Sequence, residues 1–143
     1  MHWAEKTLVV LLRFWAVILL SALVPAFMPY GWMNAIHREL IHQELPDVPI
    51  VGYLTRSASA LYAYHGALVL FLSFNVRRHL PVIKCLLVLS GTFGAGMLVL
   101  DPLVGLPWYW TLGEGLSVIV WAILLYWFAV QTERQASAAA SGT

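Results

Sequence analysis

A chain of 143 residues has room for one domain and no separate soluble module. It is 61% hydrophobic and only 10% charged, against about 25% charged in ordinary globular domains, so a soluble fold could not cover its own core. The net charge of +1 excludes a global field that recruits nucleic acid or an acidic substrate, and the single cysteine, Cys85, excludes an intrachain disulfide.

The bilayer is the solvent that fits this composition. A spanning helix needs roughly 20 mostly apolar residues to cross about 30 Å of hydrocarbon. Four segments qualify: residues 7–28, 50–75, 80–100 and 111–131. The fold class expected is all-α, a polytopic integral membrane protein built as a four-transmembrane-helix bundle in one domain, residues 1–134. The first segment has features of a cleavable secretory signal, with Lys6 before the apolar run and Val24-Pro25-Ala26 after it. Its length and Arg13 favour a retained anchor.

Between the first two segments lies a connection from Tyr30 to Pro49. On a helix over about 31–44, Trp32, Met33, Ile36, Leu40 and Ile41 share one face, and Asn34, Arg38, Glu39 and His42 the other. This pattern predicts an amphipathic helix lying in the interface. The later connection, Asp101 to Trp110, is short, and Thr111 with Glu114 predicts a capping box at the start of the fourth helix. Residues 135–143 are rich in Ala and Ser, have no apolar face to bury, and are expected to be disordered.

Lys and Arg near the helix ends set orientation. With four spans, Lys6, Arg13, Arg77, Arg78, Lys84 and Arg134 fall on one side, and Arg38 and Arg56 on the other. Both termini are therefore expected in the cytoplasm, with the protein in the plasma (inner) membrane. Tyr30, Trp32, Tyr53, Trp108, Tyr109 and Trp110 mark the outer interface; Tyr126, Trp127 and Trp3 mark the inner one.

Apolar burial gives no drive between helices in lipid, so close approach needs small residues. Ser59, Ala63 and Ala67, flanked by Ala60 and Gly66, form such a stripe on the second span. Ser90, Gly91, Thr92, Gly94, Ala95 and Gly96 form another on the third. The two stripes are expected to be contact surfaces, each a candidate partner for the other. Glycines this dense also leave room for a flat ligand such as a quinone or pigment.

Polar groups within a span are costly and so carry the functional leads. Arg56 lies in the second turn of the second span and must snorkel outward or meet an acid. Glu114 is the candidate partner and Asp101 the alternative. The pair either fixes helix register or forms an anion site with Arg56 as its fork. His65, one turn beyond Tyr62, is a possible buried ligand contact; haem would need a second axial ligand at that depth, and no other histidine sits mid-span. His37, Glu39 and His42 suggest a metal, but zinc sites on helices favour histidines at i and i+4. At a spacing of five, the two imidazoles diverge by about 140°. A solvated polar face explains them as well, and no metal site is expected.

There is no phosphate-cradling glycine loop, no His-Glu-x-x-His motif and no nucleophile elbow, and the sequence requires no cofactor. The expected function is a non-enzymatic accessory or binding subunit of a membrane assembly, with lipid, other membrane subunits or its own copies as partners. One alternative is a small membrane enzyme acting on a lipid or quinone at the outer interface, with Arg56, Glu114, His37, Glu39 and His42 around the headgroup. The other is a transporter or channel component.

Overall fold

The computed structural model describes residues 3–141 and is all-helical, with no strand among the described residues. Helix α1 (Trp3–Ser21) passes through Ala22 into the short α2 (Leu23–Phe27). Then come α3 (Tyr30–Ile41), α4 (Pro49–Ser73) and α5 (Val76–Leu103). The chain ends with one turn of α6 (Trp108–Thr111), a π turn (Leu112–Leu116) and α7 (Ser117–Ser141).

Three stretches are long and apolar enough to cross a bilayer: Trp3–Phe27, Val76–Leu103 and Trp108–Ala139. Four were expected from sequence, and the difference is α4. Its 25 residues give it the length, but Thr55, Arg56, Ser57, Ser59, Tyr62, Tyr64 and His65 dilute its apolar character. By length and composition, the chain is a membrane protein with three clear spanning helices.

The helix ends have local causes. α1 breaks at Ala22, three residues before Pro25, whose ring nitrogen has no hydrogen for the Ser21 carbonyl. α5 starts at Val76, ahead of the expected Leu80, because Asn75 caps it: its Oδ1 accepts from the Arg78 N–H at 3.4 Å. The expected capping box at Thr111 does not form. The helical run begins earlier, at Trp108 after Pro107, so Thr111 is inside it, with its own N–H bonded to the Pro107 carbonyl. α7 runs on to Ser141, across residues 135–141 of the expected tail. The alanines at 136, 138, 139 and 140 are the strongest of helix formers and carry it there. Residues 142–143 of that expected tail lie outside the described residues.

The chain forms two compact units. One joins Met1–Arg13 to Phe71–Thr143. Its buried side chains recur at helical spacing: Ala4, Leu8 and Leu12 on α1, Val76, Leu80, Ile83 and Leu87 on α5, and Ala122, Leu125 and Ala129 on α7. α5 and α7 run antiparallel and approach backbone to backbone. A Cβ on Gly94 would lie 2.8 Å from the Gly115 carbonyl oxygen, and one on Gly115 would lie 2.8 Å from Leu98 Cδ2. Polar clasps close the opposite end of this unit. Arg77 pairs with Glu5 at 2.9 Å, tying α5 to α1, and Lys84 pairs with Glu133, tying α5 to α7. Trp3 packs on Trp127 and Phe128 at centroid distances of 6.4 and 6.1 Å. Arg13 donates to Ser73 Oγ at 3.4 Å, and its guanidinium lies 5.5 Å from the centre of the Phe74 ring.

The other unit, Phe14–Leu70, holds the end of α1, then α2, α3 and most of α4. Here α1 and α4 run antiparallel. A Cβ on Gly66 would lie 2.8 Å from Leu19 Cβ and 2.9 Å from the Leu20 nitrogen. At its glycine, α4 approaches α1, while α5 approaches α7. A small residue announces a close contact in the sequence but not which helix makes it.

A methyl group at Gly94 has backbone in its way, whereas one at Gly91 would meet Ala122 Cβ at an ordinary 3.7 Å. Gly94→Ala is expected to cost about 1–3 kcal/mol and Gly91→Ala within about 0.5 kcal/mol of nothing. Thermal unfolding in detergent, followed by circular dichroism, should separate the two variants.

Candidate functional site

Three places in the fold collect chemistry. The first is a groove of about 670 Å³ along the outer seam of α5 and α7. It exists because small residues stand where side chains would fill it. Gly91, Ala95 and Ala122 form its floor, while Val88, Ile123, Tyr126 and Trp127 rise at its sides. Gln131 and Arg134 close one end, and among the lining residues Arg134 carries the only charge. An apolar trough with a cation at its mouth suits an amphipathic molecule.

The second lies at the far end of the same unit. Asp101, at the end of α5, is 3% exposed, and its Oδ2 has no hydrogen-bond partner among the described residues. Thr111 is also buried, with its hydroxyl oxygen in the same condition. Glu114 stands in the π turn between Gly113 and Gly115 and accepts from Trp110 Nε1 at 2.9 Å. It belongs to the same compact unit as Asp101. π turns are frequent at functional sites because the extra residue re-aims side chains.

The third lies in the other unit. Arg56 Nη2 donates to the Met28 carbonyl at 3.2 Å, and its Nη1 lies 3.2 Å from where a Gly52 Cβ would be. The guanidinium has thus turned back by one helical turn towards the end of α2, as snorkelling requires. On α3, Met33 is buried, whereas Trp32, Ile36 and Leu40 are exposed. The helix ends at Ile41, and His42 follows in the left-handed region (φ 61°), its N–H donating to the Arg38 carbonyl at 3.0 Å. His42 therefore leaves the helical register that would have related it to His37 and Glu39. His65 and Tyr62 stand one turn apart on α4, both half-buried.

Of the residues singled out from sequence, the fold brings Asp101 and Glu114 together in one unit. Arg56, His37, Glu39, His42, His65 and Tyr62 belong to the other. No three His, Cys, Asp or Glu side chains are grouped to hold a metal among the described residues. Sequence reading passed over Glu5 and Glu133, the acids that pair with Arg77 and Lys84. Arg77 and Lys84 lie 72 and 49 residues from these acids, so no local pattern joins them. It also passed over the clip that fixes the loop after α3. Asn34 Oδ1 accepts from the Leu45 N–H at 2.7 Å, and the Tyr30 hydroxyl donates to the Leu45 carbonyl.

Loss of surrounding solvent, then the charges of Asp47 and Glu44, hold the Tyr30 phenol above the ordinary tyrosine range. Its hydrogen bond is thus present at and below the ordinary tyrosine pKa and is lost as pH rises through the elevated one. Limited proteolysis between His42 and Val48 should stay slow at neutral pH and accelerate only in strong alkali. Asn34→Ala, which removes the acceptor at a cost of about 1 kcal/mol, should accelerate it at neutral pH. Compared with known proteins, the chain matches no family model, no curated protein and no solved structure.

Proposed function

We propose that this chain is a four-span protein of the plasma (inner) membrane with both termini in the cytoplasm, acting as a non-enzymatic accessory or binding subunit of a membrane assembly. Two features support the fourth span. α4 has spanning length, and it runs antiparallel to α1 at Gly66, so it carries the chain back through any layer that α1 crosses. Arg13, Arg77, Lys84 and Arg134 support the orientation through the bias of cytoplasmic ends towards Lys and Arg.

The observation that carries the binding role is the α5–α7 groove, an open apolar trough of about 670 Å³. Native mass spectrometry after gentle extraction tests it. A reproducible additional mass, whether lipid, cofactor or polypeptide, is the expected result. A bare monomer surviving mild extraction would contradict the proposal.

One observation favours a second reading, a small enzyme acting on lipid or quinone at the outer interface. The buried, unpartnered oxygens of Asp101 and Thr111 beside Glu114 resemble a site that handles a proton or cation. That reading requires lipid- or quinone-directed turnover that Glu114→Gln or Asp101→Asn abolishes. The expected ion pair of Arg56 with Glu114, or with Asp101, rests on sequence alone. A charge exchange, Arg56→Glu with Glu114→Arg, tests it by restoring the stability that either single change removes.

Topology has its own test. With Cys85 replaced by Ser, a cysteine at Asn34 should react with an impermeant reagent in intact cells. One at Arg77 should react only after permeabilisation, and equal labelling of both would overturn the orientation.

A further inference from the structure

The α5–α7 groove has a depth as well as a shape. Taking Lys84, the most inward basic residue of α5, as the edge of the apolar layer, the twenty residues from there to Leu103 cover about 30 Å, the hydrocarbon thickness. Ala95, at the inner limit of the groove on α5, lies eleven residues beyond Lys84, or about 16 Å, close to the midplane. On α7 the groove runs from Arg134 to Ile119, about 22 Å. A single leaflet from headgroup to midplane measures about 20–22 Å, half of a whole bilayer. The trough is therefore as long as one leaflet is deep, with its cation at the headgroup level.

The charges at that level decide what the cation can hold. Lys84 is occupied by Glu133, and Arg77 by Glu5. Arg134 is exposed, and none of the residues lining the trough is acidic. A guanidinium so placed offers paired donors to a phosphate, with the Gln131 amide beside it. Basic pockets between membrane helices on the cytoplasmic side select anionic headgroups for this reason.

Resting on the reading of this groove as a binding face, we propose that it is a site for an anionic phospholipid of the basic-side leaflet. The phosphate sits at Arg134 and Gln131, one acyl chain lies over Gly91 and Ala122, and Tyr126 and Trp127 flank it. A zwitterionic lipid fits the trough equally well, but its own cation meets Arg134. The preference for net negative charge therefore comes from one residue, and the affinity for a chain from the glycine floor.

The test uses the full chain in mild detergent, exchanged against equimolar phosphatidylglycerol and phosphatidylcholine with matched acyl chains and read by native mass spectrometry. The wild type should carry one phosphatidylglycerol about fivefold more often than phosphatidylcholine, the effect of a single basic residue near a charged headgroup. Arg134→Gln should bring the ratio to one while keeping an adduct. Gly91→Leu sets a large side chain on the floor, where a Cβ meets only Ala122 Cβ at an ordinary 3.7 Å. It should lose both adducts at unchanged helix content. Inorganic phosphate in excess should not displace the lipid if the acyl chain is bound; displacement would assign the site to a free anion and overturn the proposal. Equal binding of both lipids by the wild type, or an adduct that survives Gly91→Leu, would also overturn it. A wild-type chain that refuses both lipids but retains a second polypeptide would overturn the lipid assignment and leave the binding-face reading standing. A chain bare of both would end both readings.

Discussion

The backbone contact between Gly94 and Gly115 is the constraint on which one half of the molecule depends. Among lipid tails an apolar side chain gains nothing by turning inward, so helices associate through packing at short range. Two glycines facing each other let α5 and α7 close to a separation at which either Cβ would meet an obstruction at 2.8 Å. That contact fixes the pair at the Asp101 end, and the Lys84–Glu133 clasp fixes it at the other. Between the two points the helices carry Gly91 and Ala122, residues too small to fill the seam, and the groove is what remains. The groove is thus a consequence of the way the pair is fastened. The π turn belongs to the same logic: it places Gly115 against α5, while Glu114 beside it accepts from Trp110 Nε1.

Charge is used sparingly and mostly at the ends. Glu5 lies in the first turn of α1, where a carboxylate also favours the helix dipole, and it is nearly buried against Arg77. Arg13 finds Ser73 and the face of Phe74, and Arg56 turns back to the Met28 carbonyl. Each cation within an apolar helix is thus drawn to an end or given an acceptor, as the cost of leaving it in hydrocarbon demands. Asp101 and Thr111 depart from this pattern, with buried oxygens that no described residue satisfies.

Much of this was legible in the sequence. Composition and run length sufficed for an all-helical membrane protein, and the small residues of α4 and α5 announced close contacts. The helix after Tyr30 was visible in the spacing of Trp32, Met33, Ile36 and Leu40. What the sequence withheld was mostly relational. Gly66 and Gly94 read alike, and only the fold assigns one to α1 and the other to α7. Glu133 and Lys84 are 49 residues apart, so no local pattern joins them. The groove itself is an absence of side chains on two distant segments, with Arg134 at its mouth, and neither segment signals it alone. The π turn is invisible for another reason: Thr111 with Glu114 mimics a capping box, while the true start lies at Pro107–Trp108.

The pairing of α5 with α7 can be tested by a single cross-link. A Cβ on Gly91 would stand 3.7 Å from Ala122 Cβ, within the 3.5–4.5 Å range that disulfides adopt. With Cys85 replaced by Ser, cysteines at positions 91 and 122 should form an intrachain disulfide under mild oxidation in the membrane. Two thiols that remain free and reactive under those conditions would show that α5 and α7 do not meet there. The groove, its cation and its proposed lipid would fall with that contact.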